Sequence, residues 1–238
     1  MTAPTMRRVG MALFVVGIVL GLAVAGLSVW ANTEAAFFGF PHFTINHLTR
    51  LDCPHFIAQD EYADVRTQLV NTNAHPATVG VKSWVSVPLA WELKTEHRRL
   101  EPGEAWLWSR TIGPENRELR HFVFVSVYTF GGYPMLERQG ICGVYVLPIK
   151  GVRGEMIMWV AIGISLLTLI SGWWLWRHGE QERKTAPAAG WTMNFFLIVV
   201  PLTLAAVLWL TWMLGVVLLV ISVLMLVIVG LTLMMHMN

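Results

Sequence analysis

Charge is missing from long stretches of this chain, and that absence excludes more than any motif includes. Lys, Arg, Asp and Glu make up 13% of 238 residues while 55% are hydrophobic, a balance foreign to a soluble domain of this size. None of the four occurs in 9–30, 156–176 or 191–235. Proton relays and ion paths normally place an ionisable group inside a span, so a pump or channel is not expected. G-x-S-x-G, H-E-x-x-H and G-x-x-x-x-G-K are also lacking, which removes support from the common hydrolases, zincins and nucleotide enzymes. Basic runs with interleaved aromatics are absent and the formal net charge is only +2, so nucleic acid is not an expected partner. Cysteine is scarce, with Cys53 and Cys142 alone and no C-x-x-C spacing.

What remains is a membrane protein whose charges gather in one place. Residues 31 to 150 hold eleven of its seventeen basic and twelve of its fifteen acidic side chains. The run 9–30 is long enough to cross a hydrocarbon core of roughly 30 Å as a helix, and so is 156–176. As one helix, 191–235 would extend about 68 Å, twice what a bilayer needs. It should fold back near "TWMLG" at 211–215, where Gly215 permits a tight reversal, giving spans at 191–211 and 215–235 with Pro201 as a kink in the first. Arg7 and Arg8 before the first span, and Arg177, Arg183 and Lys184 after the second, place 1–8 and the loop 177–190 in the cytoplasm. Residues 31–153 are then extracytoplasmic, both termini are cytoplasmic, and a bacterial-type plasma membrane is the expected location. A cleaved signal peptide is the alternative reading of the first span, although its apolar run exceeds the usual 7 to 15 residues. Gly17, Gly21 and Ala25 form a small-residue row of the kind that lets helices approach closely.

Between Leu51 and Ile149 the pattern changes to period two with regular turn signals, which predicts an all-β sandwich. Val65, Thr67, Leu69 and Asn71 alternate; Val79, Val81 and Trp84 are expected inward; and Pro102-Gly103 marks a turn between two strands. The fold expected is α+β, four transmembrane helices with an external sandwich inserted between helices 1 and 2. Both cysteines fall in the external segment, where pairs persist oxidised, so a Cys53–Cys142 disulfide is expected.

Through "NTNAHP" after one strand and "LEPGE" before another, the segment resembles the immunoglobulin-like sandwiches of bacterial surface and membrane proteins. It departs from the antibody pattern in the placement of its cysteines and in lacking a tyrosine corner. The resemblance implies a binding or scaffolding module and no chemistry.

The densest group of metal-ligand side chains lies in "PHFTINHLTRLDCPHF" at 41–56, with His42, His47 and His55 beside Cys53. Their spacing fits no standard zinc pattern, and a disulfide would remove the soft ligand. The alternative to a metal site is a juxtamembrane segment with Phe37, Phe38, Phe40 and Phe43 at the interface. The leading expectation is a non-enzymatic accessory or assembly subunit, without a cofactor, whose partners are the bilayer and other membrane subunits. Copper or zinc handling through the three histidines is the second reading. An envelope-acting enzyme using Asp60 and Glu61 is the third.

Overall fold

The computed structural model describes residues 3–48, 50–131, 137–180, 187–210 and 212–237. They divide into a helical unit, 1–29 with 157–238, and a β unit, Trp30–Met156. The fold is a mixed α+β arrangement of four long helices and two sheets.

The helices are α1 (Ala3–Phe37), α2 (Gly154–Glu180), α3 (Pro187–Ala205) and α4 (Trp212–Met237). By length and composition three segments are apolar and long enough to cross a bilayer: Pro4–Phe37, Gly154–Gly179 and Gly190–Trp209. Met213–Ile228, within α4, is a shorter apolar run. The four expected spans are thus matched by three helices of spanning length and one shorter segment. α1 continues seven residues past the expected end at 30, because Ala31 and Ala35 are small enough to pack flat against a sheet and no breaker intervenes before Gly39, which takes a left-handed φ of +86°. Pro201 lies inside α3, and a π-turn at Ala206–Leu210 follows it. A Cβ on Gly215 would collide with Val207. Residues eight apart lie about 12 Å from each other along a straight helix, so this contact marks the reversal expected near 211–215. Of the expected loop 177–190, residues 177–180 are the end of α2 and 187–190 the start of α3, so the helices reach further into it than expected, while 181–186 lie outside the described residues.

Inside the helical unit the small-residue row meets the chain's own helices. A Cβ on Gly17 would sit 2.7 Å from Leu169 Cγ and 2.8 Å from the Ser165 carbonyl oxygen, and one on Gly21 would meet Val200. Ser165 Oγ donates to the Gly17 carbonyl at 2.7 Å. Ala25 is fully buried. The backbones come close here because nothing but hydrogen projects from the glycines, and the polar Ser165 finds its acceptor in that gap.

Among the described residues the β unit has eight strands: β1 (Leu51–Asp52), β2 (Phe56–Ala58), β3 (Ala63–Val70), β4 (Ala77–Val87), β5 (Ala90–Leu100), β6 (Ala105–Ile112), β7 (Phe122–Gly131) and β8 (Arg138–Leu147). One sheet runs β1-β3-β6 and the other β2-β8-β7-β4-β5. Neighbours are antiparallel except β2 and β8. Val65, Leu69, Trp106, Trp108 and Ile112 of the smaller sheet share one core with Val79, Val81, Val85, Val123, Val125, Val127, Val144 and Val146 of the larger. The Pro102-Gly103 turn forms as expected, with Gly103 at φ +76°, and it carries the chain from one sheet to the other.

The Cys53–Cys142 disulfide is formed, with a Cα–Cα distance of 6.6 Å. Cys53 follows β1 and Cys142 lies in β8, so the bond joins the two sheets.

Trp84 corrects one expectation. Even-numbered residues of β4 and β7 face away from the shared core, and "FVFVSVYTF" in β7 sorts Val123, Val125 and Val127 to one face and Phe122, Phe124 and Tyr128 to the other. Trp84 belongs with those aromatics in a second cluster, closed by Ala31, Ala35 and Phe40. Period-two reading detects the alternation but cannot tell which face is covered when both are.

Candidate interaction face

The outer face of the five-stranded sheet is where the histidine-rich segment is laid down, and Gln139 at the start of β8 holds it there. Its Oε1 accepts from Phe43 N at 3.0 Å, while Nε2 donates to the Pro41 carbonyl at 2.8 Å and to Ser126 Oγ at 3.0 Å. Its backbone completes the clamp, with Gln139 N donating to the Asn46 carbonyl at 2.9 Å and Leu48 N donating to the Gln139 carbonyl at 3.0 Å. A buried glutamine with both ends satisfied fixes an irregular segment as firmly as a strand pairing does. Sequence reasoning passed over Gln139, since a lone Gln in a β-prone run carries no motif.

With 41–48 fixed, Phe43 stacks on Trp84 at 5.4 Å and tilts onto Tyr128 at 4.8 Å. Phe38 contacts Phe40 at 5.1 Å and Phe124 at 4.7 Å. Lys82 Nζ lies 5.8 Å from the Phe43 ring centroid and 5.3 Å from that of Phe130. Of the phenylalanines expected at a membrane interface, Phe38, Phe40 and Phe43 lie against this sheet, with Phe43 still 48% exposed, while Phe37 is 81% exposed.

The histidines do not converge. His42 and His47 are exposed, and His55 follows the disulfide-bonded Cys53 at the crossover between sheets. Among the described residues no group of three or more His, Cys, Asp or Glu side chains is placed to hold a metal. Asp60 and Glu61 are engaged in local structure: Asp60 accepts from Gly151 N at 3.2 Å, and Glu61 Oε2 accepts from Ala58 N at 2.8 Å and Gly154 N at 2.7 Å.

Next to the aromatic cluster runs β5, an eleven-residue edge strand that pairs with β4 alone among the described strands. Its even-numbered side chains point toward the inner side, and from Glu92 to Arg98 they are charged, with Leu100 closing the row in the core. Glu92 pairs with Arg110 at 3.2 Å, Lys94 with Glu96 at 2.7 Å, and Arg98 with Glu104 at 3.0 Å. Inward-pointing charge on an edge strand deters indiscriminate pairing with other sheets. Arg110 is the buried member of this set, donating from Nη1 to Ser83 Oγ at 2.8 Å and to the Ser83 carbonyl at 3.1 Å. Burial pushes its pKa down, and Glu92 and Glu96 oppose that shift. The odd-numbered side chains join the aromatic face, where Trp91 lies 6.2 Å from Phe40 and is 43% exposed, beside Leu93 at 51%.

No family model and no curated protein matches this sequence. Among solved structures, a β-glucuronidase of Bacteroides uniformis overlaps 37% of this chain and 12% of its own at 15% identity, with a TM-score of 0.31. A red sea bream transglutaminase overlaps 45% of this chain and 17% of its own at 9% identity, with a TM-score of 0.35. A β-glucosidase from Erythrobacter marinus overlaps 39% and 14% at 15% identity, with a TM-score of 0.29. This chain spans well under two thirds of any of these proteins, and likeness at that level carries no functional argument.

Proposed function

We propose that the protein is a non-enzymatic integral membrane protein whose external, immunoglobulin-like β unit docks a second membrane-associated subunit, in the manner of an accessory or assembly factor. The observation that carries this reading is β5. It combines backbone groups that pair on one side only with exposed Trp91 and Leu93 on one face and a charged ladder on the other. An edge of this kind accepts an added strand from a partner, with main-chain bonds giving affinity and side chains giving selectivity, and Trp is enriched at the centre of such contacts. Three helices of spanning length and a disulfide of the kind that persists outside the cytoplasm support a membrane location with an external segment. Cytoplasmic termini are part of the proposal, argued from Arg7, Arg8 and Arg177 beside the first two spans and from α4 serving as a fourth.

The test is purification of the full chain in gentle detergent, with and without Trp91→Ala/Leu93→Asp. A subunit that co-purifies with the native chain and is lost from the variant is expected. A native chain that runs as a lone monomer from its own membranes sinks the proposal.

A further inference from the structure

β5 carries its charges in an order that is its own complement. Along the inner side of the strand run Glu92, Lys94, Glu96 and Arg98, alternating in sign. In an antiparallel pair, residues directly opposite each other lie on one face of the sheet, and their numbers have a constant sum. Two copies of β5 laid antiparallel about Thr95 therefore set Glu92 against Arg98 and Lys94 against Glu96, and the same two pairs recur across the two-fold axis. Every charge on that side meets its opposite, and all eleven residues of the strand are paired.

The neighbouring registers are rejected. Sliding one copy by two residues in one direction sets Glu92 against Glu96 and Lys94 against Lys94; in the other direction it sets Lys94 against Arg98 and Glu96 against Glu96. Like charges directly opposite each other destabilise a pairing. Slides by four residues restore opposite signs but leave half the charge pairs and a shorter ladder. The row that deters a foreign strand thus admits its own copy in one register.

The ion pairs already present are extended by this contact. Arg110 holds Glu92 at 3.2 Å, and Glu104 holds Arg98 at 3.0 Å, so Glu92 beside the second copy's Arg98 completes a row of four charges that alternate in sign. On the other side of the strand, Trp91, 43% exposed, comes opposite Arg99 of the second copy, where a guanidinium on an indole is favourable. Leu93, 51% exposed, comes opposite His97. The backbone is open to the ladder, because β5 bonds with β4 alone among the described strands and is exposed from Ala90 to Thr95.

We infer that β5 pairs with β5 of a second copy of this chain, antiparallel and centred on Thr95, joining the two five-stranded sheets into one continuous sheet. The inference rests on the docking reading of β5 and names its occupant. A two-fold contact of this kind uses the same surface on both copies and closes at two.

The test uses the full chain in gentle detergent. Both natural cysteines are held in the Cys53–Cys142 bond, so an introduced one reports alone. Thr95→Cys is expected to cross-link to its copy under mild oxidation, since opposed residues of antiparallel strands have Cα atoms about 4.5–5.5 Å apart, within disulfide reach. Leu93→Cys and His97→Cys, on the same side but four positions from their own copies along the ladder, should not cross-link. By sedimentation equilibrium the native chain should be a dimer. Lys94→Glu should weaken it by about tenfold or more, because it sets like charges opposite at both 94–96 pairs, and Lys94→Glu/Glu96→Lys should restore it, with thermal melts unchanged in both. Equal cross-linking of Leu93→Cys and Thr95→Cys, a dimer indifferent to Lys94→Glu, or a double variant that stays dissociated overturns the inference. A native chain that carries a different protein on β5 in place of its own copy overturns it as well, while leaving the docking reading intact. A lone monomer refutes both.

Discussion

Breaking the Cys53–Cys142 bond tests how the β unit is held together. The bond spans 89 positions, and in the chain-entropy model a closed loop of that size restricts the unfolded chain by about 4.6 kcal/mol at 25 °C. Nearly every strand lies inside the loop, so the effect should be felt by the whole unit rather than by one edge. Amide hydrogen exchange on the full chain is the suitable assay, because it reads the β unit separately from the helices. The probes are the amides of β7, central in the five-stranded sheet and buried on both faces. Reduction of the native chain should lower their protection by about three orders of magnitude, at roughly 1.4 kcal/mol per tenfold. Cys53→Ala/Cys142→Ala should lower it by about a further tenfold, since Cys142 is buried in the shared core and losing a sulfur there costs on the order of 1 kcal/mol. A drop of less than tenfold on reduction would refute the reasoning, and would mean that the unfolded chain is already compact enough for the link to constrain little.

Further outcomes follow from single contacts. Gly172→Leu should destabilise the helical unit by about 1–3 kcal/mol, because its Cβ would lie 2.6 Å from Phe14 N and 2.7 Å from the Gly10 carbonyl oxygen, whereas Gly163→Leu, with nothing within 4 Å, should leave the helical melt unchanged. Arg110→Met strands the buried Ser83 carbonyl and hydroxyl and should cost the β unit about 1–3 kcal/mol by denaturant titration; Glu92→Gln, on the exposed side of the same pair, should cost less than about 1 kcal/mol. Asp64 is held below its ordinary value of 3.8 by the Thr111 hydroxyl first and the Arg66 guanidinium second. A depressed carboxylate stabilises the fold above its unfolded value and loses that contribution as pH falls through the folded one. Melts between pH 6 and pH 2 should therefore show an acid-side decline that Asp64→Asn shrinks by no more than about 0.5 kcal/mol, given the exposure of the pair.

Much of this architecture was legible in the sequence because the forces that set it are local or compositional. Uncharged runs of helix-spanning length report apolar helices directly, and the odd-numbered Val65, Thr67, Leu69 and Asn71 are buried as their alternation requires. The disulfide followed from compartment rather than geometry. The interaction face was not legible. Gln139 and the segment it clamps are separated by almost one hundred residues in sequence, and the hydrogen bonds between them leave no periodic trace. Trp84 was assigned to the wrong core because a strand covered on both faces looks the same from either side. The positive φ of Leu89 was hidden for a further reason: Pro88 marks the turn between β4 and β5, but the position after it is usually filled by Gly or Asn, and Leu contradicts that propensity.

The two chemistries of β7 bear on where this domain can be cut. Its valines need only the opposite sheet, but its aromatics are sheltered by Ala31, Ala35 and Phe40, and a Cβ on Gly143 would strike the Ala31 carbonyl, so close is the fit. Residues usually counted as a tether are therefore a wall of the building they tether. A fragment trimmed to the first strand at Leu51 would present Trp84, Phe122, Phe124 and Tyr128 as a bare aromatic sheet, a surface prone to self-association. The end of the first helix and the domain that follows it can be inherited, transplanted or expressed only together.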